Sequence, residues 1–344
     1  MKIRAHLLEG QAIPALPLAL DKSRKWSEKY QRALARYYFA AGTGGLAVGV
    51  HSTQFEIREP QHGLFEPVLQ LASETLNICQ KANPRPYAKI AGLCGKTAQA
   101  VKEAGFAKNI GYDAGLLSVA AYRDAEEDEI LRHCETVSEI IPIIGFYLQP
   151  AVGGRTLSYS FWRKFAEIPN VVAIKMAPFN RYQTWDVVRA VIDAGREDLA
   201  LYTGNDDNII VDLLTRWRWN GKTRFISGGL LGQWGVWTRR AVEMLEAIKR
   251  IRQDEDIASE WLSKNAELTD ANAVVFDAAN GFAGCIPGIH EVLRRQGLLE
   301  TNYCLNPHEV LSPGQAEELD RVSKAYGWLT DDDFVRENLA EWLE

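Results

Sequence analysis

The stretch "NVVAIKMAPF", residues 170–179, sets a lysine in an apolar, β-branched run. Val171, Val172, Ala173 and Ile174 lead directly into Lys175, and Met176, Ala177, Pro178 and Phe179 follow it. A run of this kind reads as a strand covered on both faces, the environment of a parallel sheet. Similar runs recur on both sides of it: "AIPALPL" (12–18), "GLAVGV" (45–50), "YAKIAGL" (87–93) and "AGLLSVA" (114–120), then "IPIIGFY" (141–147), "LALYTG" (199–204) and "TRFISG" (223–228). Between them lie amphipathic helix patterns such as "SEKYQRALARYYFAAG", "FEPVLQLASETLNICQKA" and "EEDEILRHCETVSEI". Strands alternating with helices imply a parallel sheet with helical crossovers.

Counting Lys175's own strand, the repeat fits a (β/α)8 TIM barrel, which typically takes about 250 residues. A doubly wound open sheet is the competing arrangement. Against it, no strand is followed by GxGxxG or GxxxxGK[ST], so the usual phosphate cradles are missing. "GTGGL" (42–46) precedes a strand and reads as a helix C-cap. After residue 232 only helical spacing remains. The expected organisation is therefore barrel strands and crossovers over 1–232, a last barrel helix over 233–253, and a C-terminal helical extension over 254–344.

Composition bounds the function class. With 47% hydrophobic and 24% charged residues, the 344-residue chain has the makings of a sizeable core. A net charge of −6 leaves no basic footprint, so neither nucleic acid nor a membrane surface is an expected partner. The N-terminal apolar stretch is broken by Glu9, Gly10, Pro14 and Pro17 and does not read as a signal sequence. Five cysteines without CxxC spacing read as reduced thiols, hence a cytoplasmic expectation. Six dispersed histidines give no zinc-site pattern, and no metal is expected.

In a parallel barrel the carboxyl ends of the strands form the active-site mouth, and Lys175 closes its strand there. Desolvation at such a position lowers a lysine's pKa, and a neutral amine attacks carbonyls to form an imine. The structural alternative is a lysine whose stem lies along apolar surface with its head in water. Tyr147 ends the neighbouring strand, and a phenol beside an imine moves the protons that the chemistry requires. Lys89 sits mid-strand in "YAKIAGL" and is expected to face outward. Asp206 and Asp207 in "GNDDN" read as a turn capping the next helix.

"GFYLQPAVGG…LSYSFWRKFAEIPNVVAIKMA" resembles the core of the dihydrodipicolinate synthase/N-acetylneuraminate lyase family of class I aldolases, which carry a YNxP motif and a lysine ending a "V.GIK" strand. "LYTGNDDNIIVDLLTRWRWNGKTRFISG" and "GCIPGIHEVLRRQGLLETNYCLNPHEVLSPGQAEELDRV" are similar to the family's strand-seven-to-eight region and its helical tail. The resemblance implies a lysine imine formed by Lys175, acid/base work by Tyr147, no separate cofactor, a small-molecule 2-oxo acid substrate and a homo-oligomer (tetramer or dimer).

Departures from the family pattern fall around that lysine. Where the family reads GTTGE after strand two, this chain reads "GVHSTQFE". His51, Ser52 and Thr53 then become the expected carboxylate binders, with Gly204, Ser227 and Gly228 bounding the pocket. Tyr122 and Arg123 in "VAAYRD" stand where the family has an interface tyrosine pair. Val152 replaces the arginine of the lysine-pathway synthases, and Arg155 is the candidate substitute. These changes argue against dihydrodipicolinate synthase activity itself and favour another 2-oxo acid. The expectation is a Schiff-base lyase acting on pyruvate or another 2-oxo acid. The alternatives are a 2-oxo sugar acid dehydratase or decarboxylase on the same scaffold, or a degenerate 2-oxo acid binding protein.

Overall fold

Residues 171–174 are all buried, as a strand covered on both faces must be. The computed structural model describes residues 2–150 and 153–344. Its strands are β1 (Ala12–Pro14), β2 (Gly45–Val48), β3 (Ala88–Leu93), β4 (Ala114–Leu117), β5 (Ile143–Leu148), β6 (Val171–Ala177), β7 (Ala200–Thr203), β8 (Trp217–Trp219), β9 (Lys222–Arg224) and β10 (Gly228–Leu231). All but β8 and β9 form one parallel sheet in which β10 pairs with both β7 and β1. A parallel bridge between Ala15 and Ala47 joins β1 to β2 and closes the ring. The architecture is a (β/α)8 TIM barrel.

The helices are α1 (Ile3–Leu8), α2 (Glu28–Ala40), α3 (Phe65–Ala82), α4 (Thr97–Asn109), α5 (Glu127–Ser138), α6 (Tyr159–Phe165), α7 (Arg181–Asp193), α8 (Ile209–Leu214) and α9 (Thr238–Ile251). Beyond them come α10 (Glu260–Val275), α11 (Cys285–Arg295), α12 (Gln315–Ala325) and α13 (Asp332–Trp342). Strand alternation divides the core in two. Ile90, Leu116, Ile144, Phe146, Ala173 and Leu230 pack inside the barrel, while Ile143, Tyr147, Ile174 and Met176 pack outward under the helices. Helix α1 plugs the amino-terminal end: Leu7 joins the inner cluster, and Tyr202 Oη donates to the Leu7 carbonyl at 2.9 Å. No helix among the described residues is long and apolar enough to cross a membrane.

Two features depart from the sequence expectation. The eighth barrel strand is Gly228–Leu231, not 223–228; Lys222–Arg224 instead turns back on Trp217–Trp219 as an antiparallel hairpin. The hairpin turns at Asn220–Gly221, both at positive φ, an Asn-Gly signal that the reading of 223–228 as the strand passes over. The second is a register shift between β5 and β6: Ile143 pairs with Val171, but Ile144 pairs with Ala173. Val172 is the extra residue of a β-bulge, and it and Ala173 both face the barrel interior.

Candidate active site

The bulge decides which side chain meets Lys175. In an uninterrupted ladder Tyr147 would stand opposite it; the extra residue moves Phe146 there and pairs Tyr147 with Met176. A one-residue slip turns a side chain to the other face. Phe146 therefore enters the barrel, with Lys175 Nζ 4.3 Å from its ring centroid. Tyr147 points outward, its ring 5.1 Å from that of Trp162, and its hydroxyl donates to the Leu157 carbonyl at 3.2 Å. The expected Lys175–Tyr147 pair is not formed, because the ladder is bulged.

Lys175 lies two residues before the end of β6 and lines a pocket at the carboxyl ends of the strands, where barrel active sites sit. Gly204, at the end of β7, leaves room for its stem. A Cβ there would come within 2.6 Å of Lys175 Cε and 2.8 Å of Ala177 Cβ. Burial lowers the amine's pKa to about 8, with the charge of Asp206 resisting the fall. Burial raises Asp206 to about 7, with Lys175 resisting the rise.

Asp206 belongs to "GNDDN", which leads into α8 without the expected side-chain cap and instead faces the pocket. Its carboxylate accepts from the Gln233 backbone N–H at 3.2 Å, and its carbonyl accepts from Asn272 Nδ2 at 2.7 Å. The C-terminal extension thus holds the loop that presents Asp206. The signal in the sequence was a pair of acids, Asp206 and Asp207, two and three residues after the glycine that follows a barrel strand, a position facing the mouth. Among the described residues no cluster of three or more His, Cys, Asp or Glu is placed to hold a metal ion.

The loop after β2 splits the expected carboxylate binders. His51 and Ser52 line the pocket; Thr53 does not. Ser52 Oγ is buried with no hydrogen-bond partner, so an acceptor on a ligand would satisfy it. Thr53 Oγ1 is consumed by the fold, accepting from the Gly49 N–H at 3.0 Å and donating to the Leu16 carbonyl at 2.6 Å. Burial, helped by Lys175, lowers His51 to about 4, so its imidazole is neutral at pH 7.

The other candidates lie elsewhere. Ser227 and Gly228 occupy the start of β10, hence the opposite end of the barrel, and Gly232 after that strand lines the pocket instead. The misplaced strand caused this error. Tyr122 is buried and shares a 2.8 Å hydrogen bond with Thr97 Oγ1, while Arg123 is exposed. Arg155 donates to the carbonyls of Tyr122 and Ala125 at 2.9 and 2.7 Å, bracing a loop. Val152 lies outside the described residues. Lys89 faces outward as expected, 3.1 Å from Ser73 Oγ and 3.0 Å from Asn77 Oδ1.

The barrel agrees with the comparisons. A model of the dihydrodipicolinate synthetase family matches residues 10–325. The chain belongs to that family. The 4-hydroxy-tetrahydrodipicolinate synthase of Aromatoleum aromaticum is 30% identical over 182 residues, 51% of this chain and 56% of that protein. The enzyme of the same name from Staphylococcus haemolyticus is 26% identical over 212 residues, 60% of this chain and 66% of that one. The chain thus aligns with between half and two thirds of the length of these two family members. Among solved structures, the Acinetobacter baumannii dihydrodipicolinate synthase complexed with pyruvate superposes with a TM-score of 0.75 at 20% identity, covering 92% of this chain and 99% of that one. N-acetylneuraminate lyase from Fusobacterium nucleatum gives 0.72 at 18% identity, covering 93% and 99%. Both likenesses are of fold.

Besides Asp206, two contributions to the pocket were missed in the sequence. Phe146 was hidden by the bulge. Phe276, Phe282, Cys285 and Ile289 come from the C-terminal extension and roof the mouth. Burial and the nearby Asp206 raise the Cys285 thiol, leaving it protonated at neutral pH.

Proposed function

We propose that the protein is a class I aldolase-type lyase in which Lys175 forms an imine with pyruvate or another 2-oxo acid. The observation that carries this reading is the Lys175 amine itself: desolvated, its stem fitted against Gly204, and open to a pocket at the strands' carboxyl ends. Neutral Nζ attacks C2 of the substrate to give a carbinolamine. The C2 oxygen then leaves as water after taking a proton. In the cleavage direction the C3–C4 bond breaks, its electrons moving toward the iminium nitrogen, and the C4 hydroxyl loses its proton as the aldehyde departs. Protonation at C3 and hydrolysis by water return the free amine.

Asp206 is the group suited to these proton transfers. An acid/base catalyst works best with a pKa near the working pH, and Asp206 is raised to about 7 on the wall of the same pocket. Tyr147, turned away from the pocket, has no part in this reading. Ser52 Oγ is assigned to the substrate carboxylate, since it is the buried hydroxyl left without a partner there. His51 is assigned to the same subsite as a neutral donor or acceptor.

Borohydride reduction in the presence of pyruvate tests this. A stable adduct in the wild type that is lost in Lys175→Ala is expected; no adduct overturns the proposal. An adduct with no turnover of any 2-oxo acid would identify a binding protein instead.

A further inference from the structure

The roof of the pocket carries information about what condenses with, or is cleaved from, the 2-oxo acid. Phe179, in the loop after β6, and Phe282, before α11, both hold positive φ angles of 50° and 70°. Bulky side chains rarely adopt this conformation, and such outliers gather at functional sites when the surroundings enforce them. Here they are enforced. The Phe179 N–H donates to Asn205 Oδ1 at 3.0 Å, and the Phe282 N–H donates to the Asp277 carbonyl at 2.9 Å. The two rings meet edge to face, centroids 6.0 Å apart at 73°, and both line the pocket with Phe276, Leu148 and Ile289.

The same wall offers little to a charged or polyhydroxylated partner. Among the described residues Lys175 is its only lysine and it has no arginine, so a second carboxylate finds no free cation and faces Asp206. Ser52, His51 and Lys175 are already assigned to the 2-oxo acid, which leaves a sugar chain mainly Gln149 and Asp206 for its hydroxyls, against a wall otherwise largely apolar.

Resting on the imine reading above, we infer that the aldehyde half of the substrate is aromatic, seated against the Phe179–Phe282 pair. In the condensation direction, C3 of the pyruvate enamine bonds to the aldehyde carbon. The aldehyde oxygen takes a proton to become the C4 hydroxyl, and water hydrolyses the imine to release a 4-aryl-4-hydroxy-2-oxo acid. Cleavage is the reverse.

The test supplies pyruvate with benzaldehyde, glyceraldehyde or succinic semialdehyde and reads the hydroxy-oxo acid product by mass spectrometry. Benzaldehyde is expected to exceed both others in kcat/KM by about tenfold or more, within what a hydrophobic pocket delivers. Phe282→Ala should bring that ratio toward one. A ratio is insensitive to partial unfolding, and Phe282→Gly provides a second check. Glycine accepts the φ of +70° freely, so this variant should lose the preference with a smaller fall in Tm than Phe282→Ala. Preference for glyceraldehyde or succinic semialdehyde, or a ratio unchanged in both variants, overturns the inference. Pyruvate trapping without turnover of any aldehyde overturns it while the imine reading stands; absence of trapping overturns both.

Discussion

At the residue scale, the central relation is between Lys175 and Asp206. Each is pushed toward neutrality by burial and partly restored by the other's charge, so the pair holds its protons loosely near physiological pH. Trapping of pyruvate should be slow where Lys175 is protonated and rise as pH passes about 8. Asp206 raises the lysine's pKa, and removing its charge lowers it. Asp206→Asn is accordingly expected to move the acid limb of the trapping profile to lower pH while turnover falls by about 10²–10⁴-fold. A rate–pH series on both proteins checks this; an acid limb that stays put contradicts the coupling. Tyr147→Phe is expected to lose about 1 kcal/mol of stability through its bond to Leu157. Its borohydride trapping should match the wild type, and a collapse of trapping would return the tyrosine to the site.

At the element scale, the barrel alternation, the strand that carries Lys175 and the helical tail were all legible, because each is written as a local hydrophobic period, although the strand runs on past Lys175 to Ala177. What escaped was register. A bulge at Val172 leaves no local signature, yet it exchanges Phe146 for Tyr147 at the lysine. The hairpin over 217–224 likewise displaced the eighth strand, and with it Ser227 and Gly228, to the wrong end of the barrel. His51 and Ser52 came from the resemblance of their loop to the family's GTTGE position, whereas the consumption of Thr53 depends on Leu16, distant in sequence. Gly204 was legible as a site residue, but its reason is the lysine stem it accommodates. Gly204→Ala should force that stem aside, costing about 1–3 kcal/mol and most of the trapping. Urea denaturation and the borohydride assay on one preparation read both effects.

At the scale of the whole molecule, the C-terminal extension completes the pocket. It roofs the mouth with Phe276 and Phe282 and holds the Asp206 loop through Asn272. Its far end is fastened to the barrel helices at Asp331, whose carboxylate accepts from Tyr37 Oη at 2.8 Å and from the Arg239 N–H at 3.0 Å. Asp331→Ala leaves the buried Tyr37 hydroxyl without that acceptor and should destabilise by about 1–3 kcal/mol in urea titration. These long-range ties connect residues scattered along the chain, which is why the sequence showed a tail but not a roof.

The claim on which the rest depends is that Lys175 is the imine-forming amine. Peptide mapping after borohydride reduction with pyruvate tests it most directly. The account predicts a carboxyethyl group on Lys175, absent in Lys175→Ala. A modification on Lys89 or another lysine, or one that persists in that variant, would contradict it.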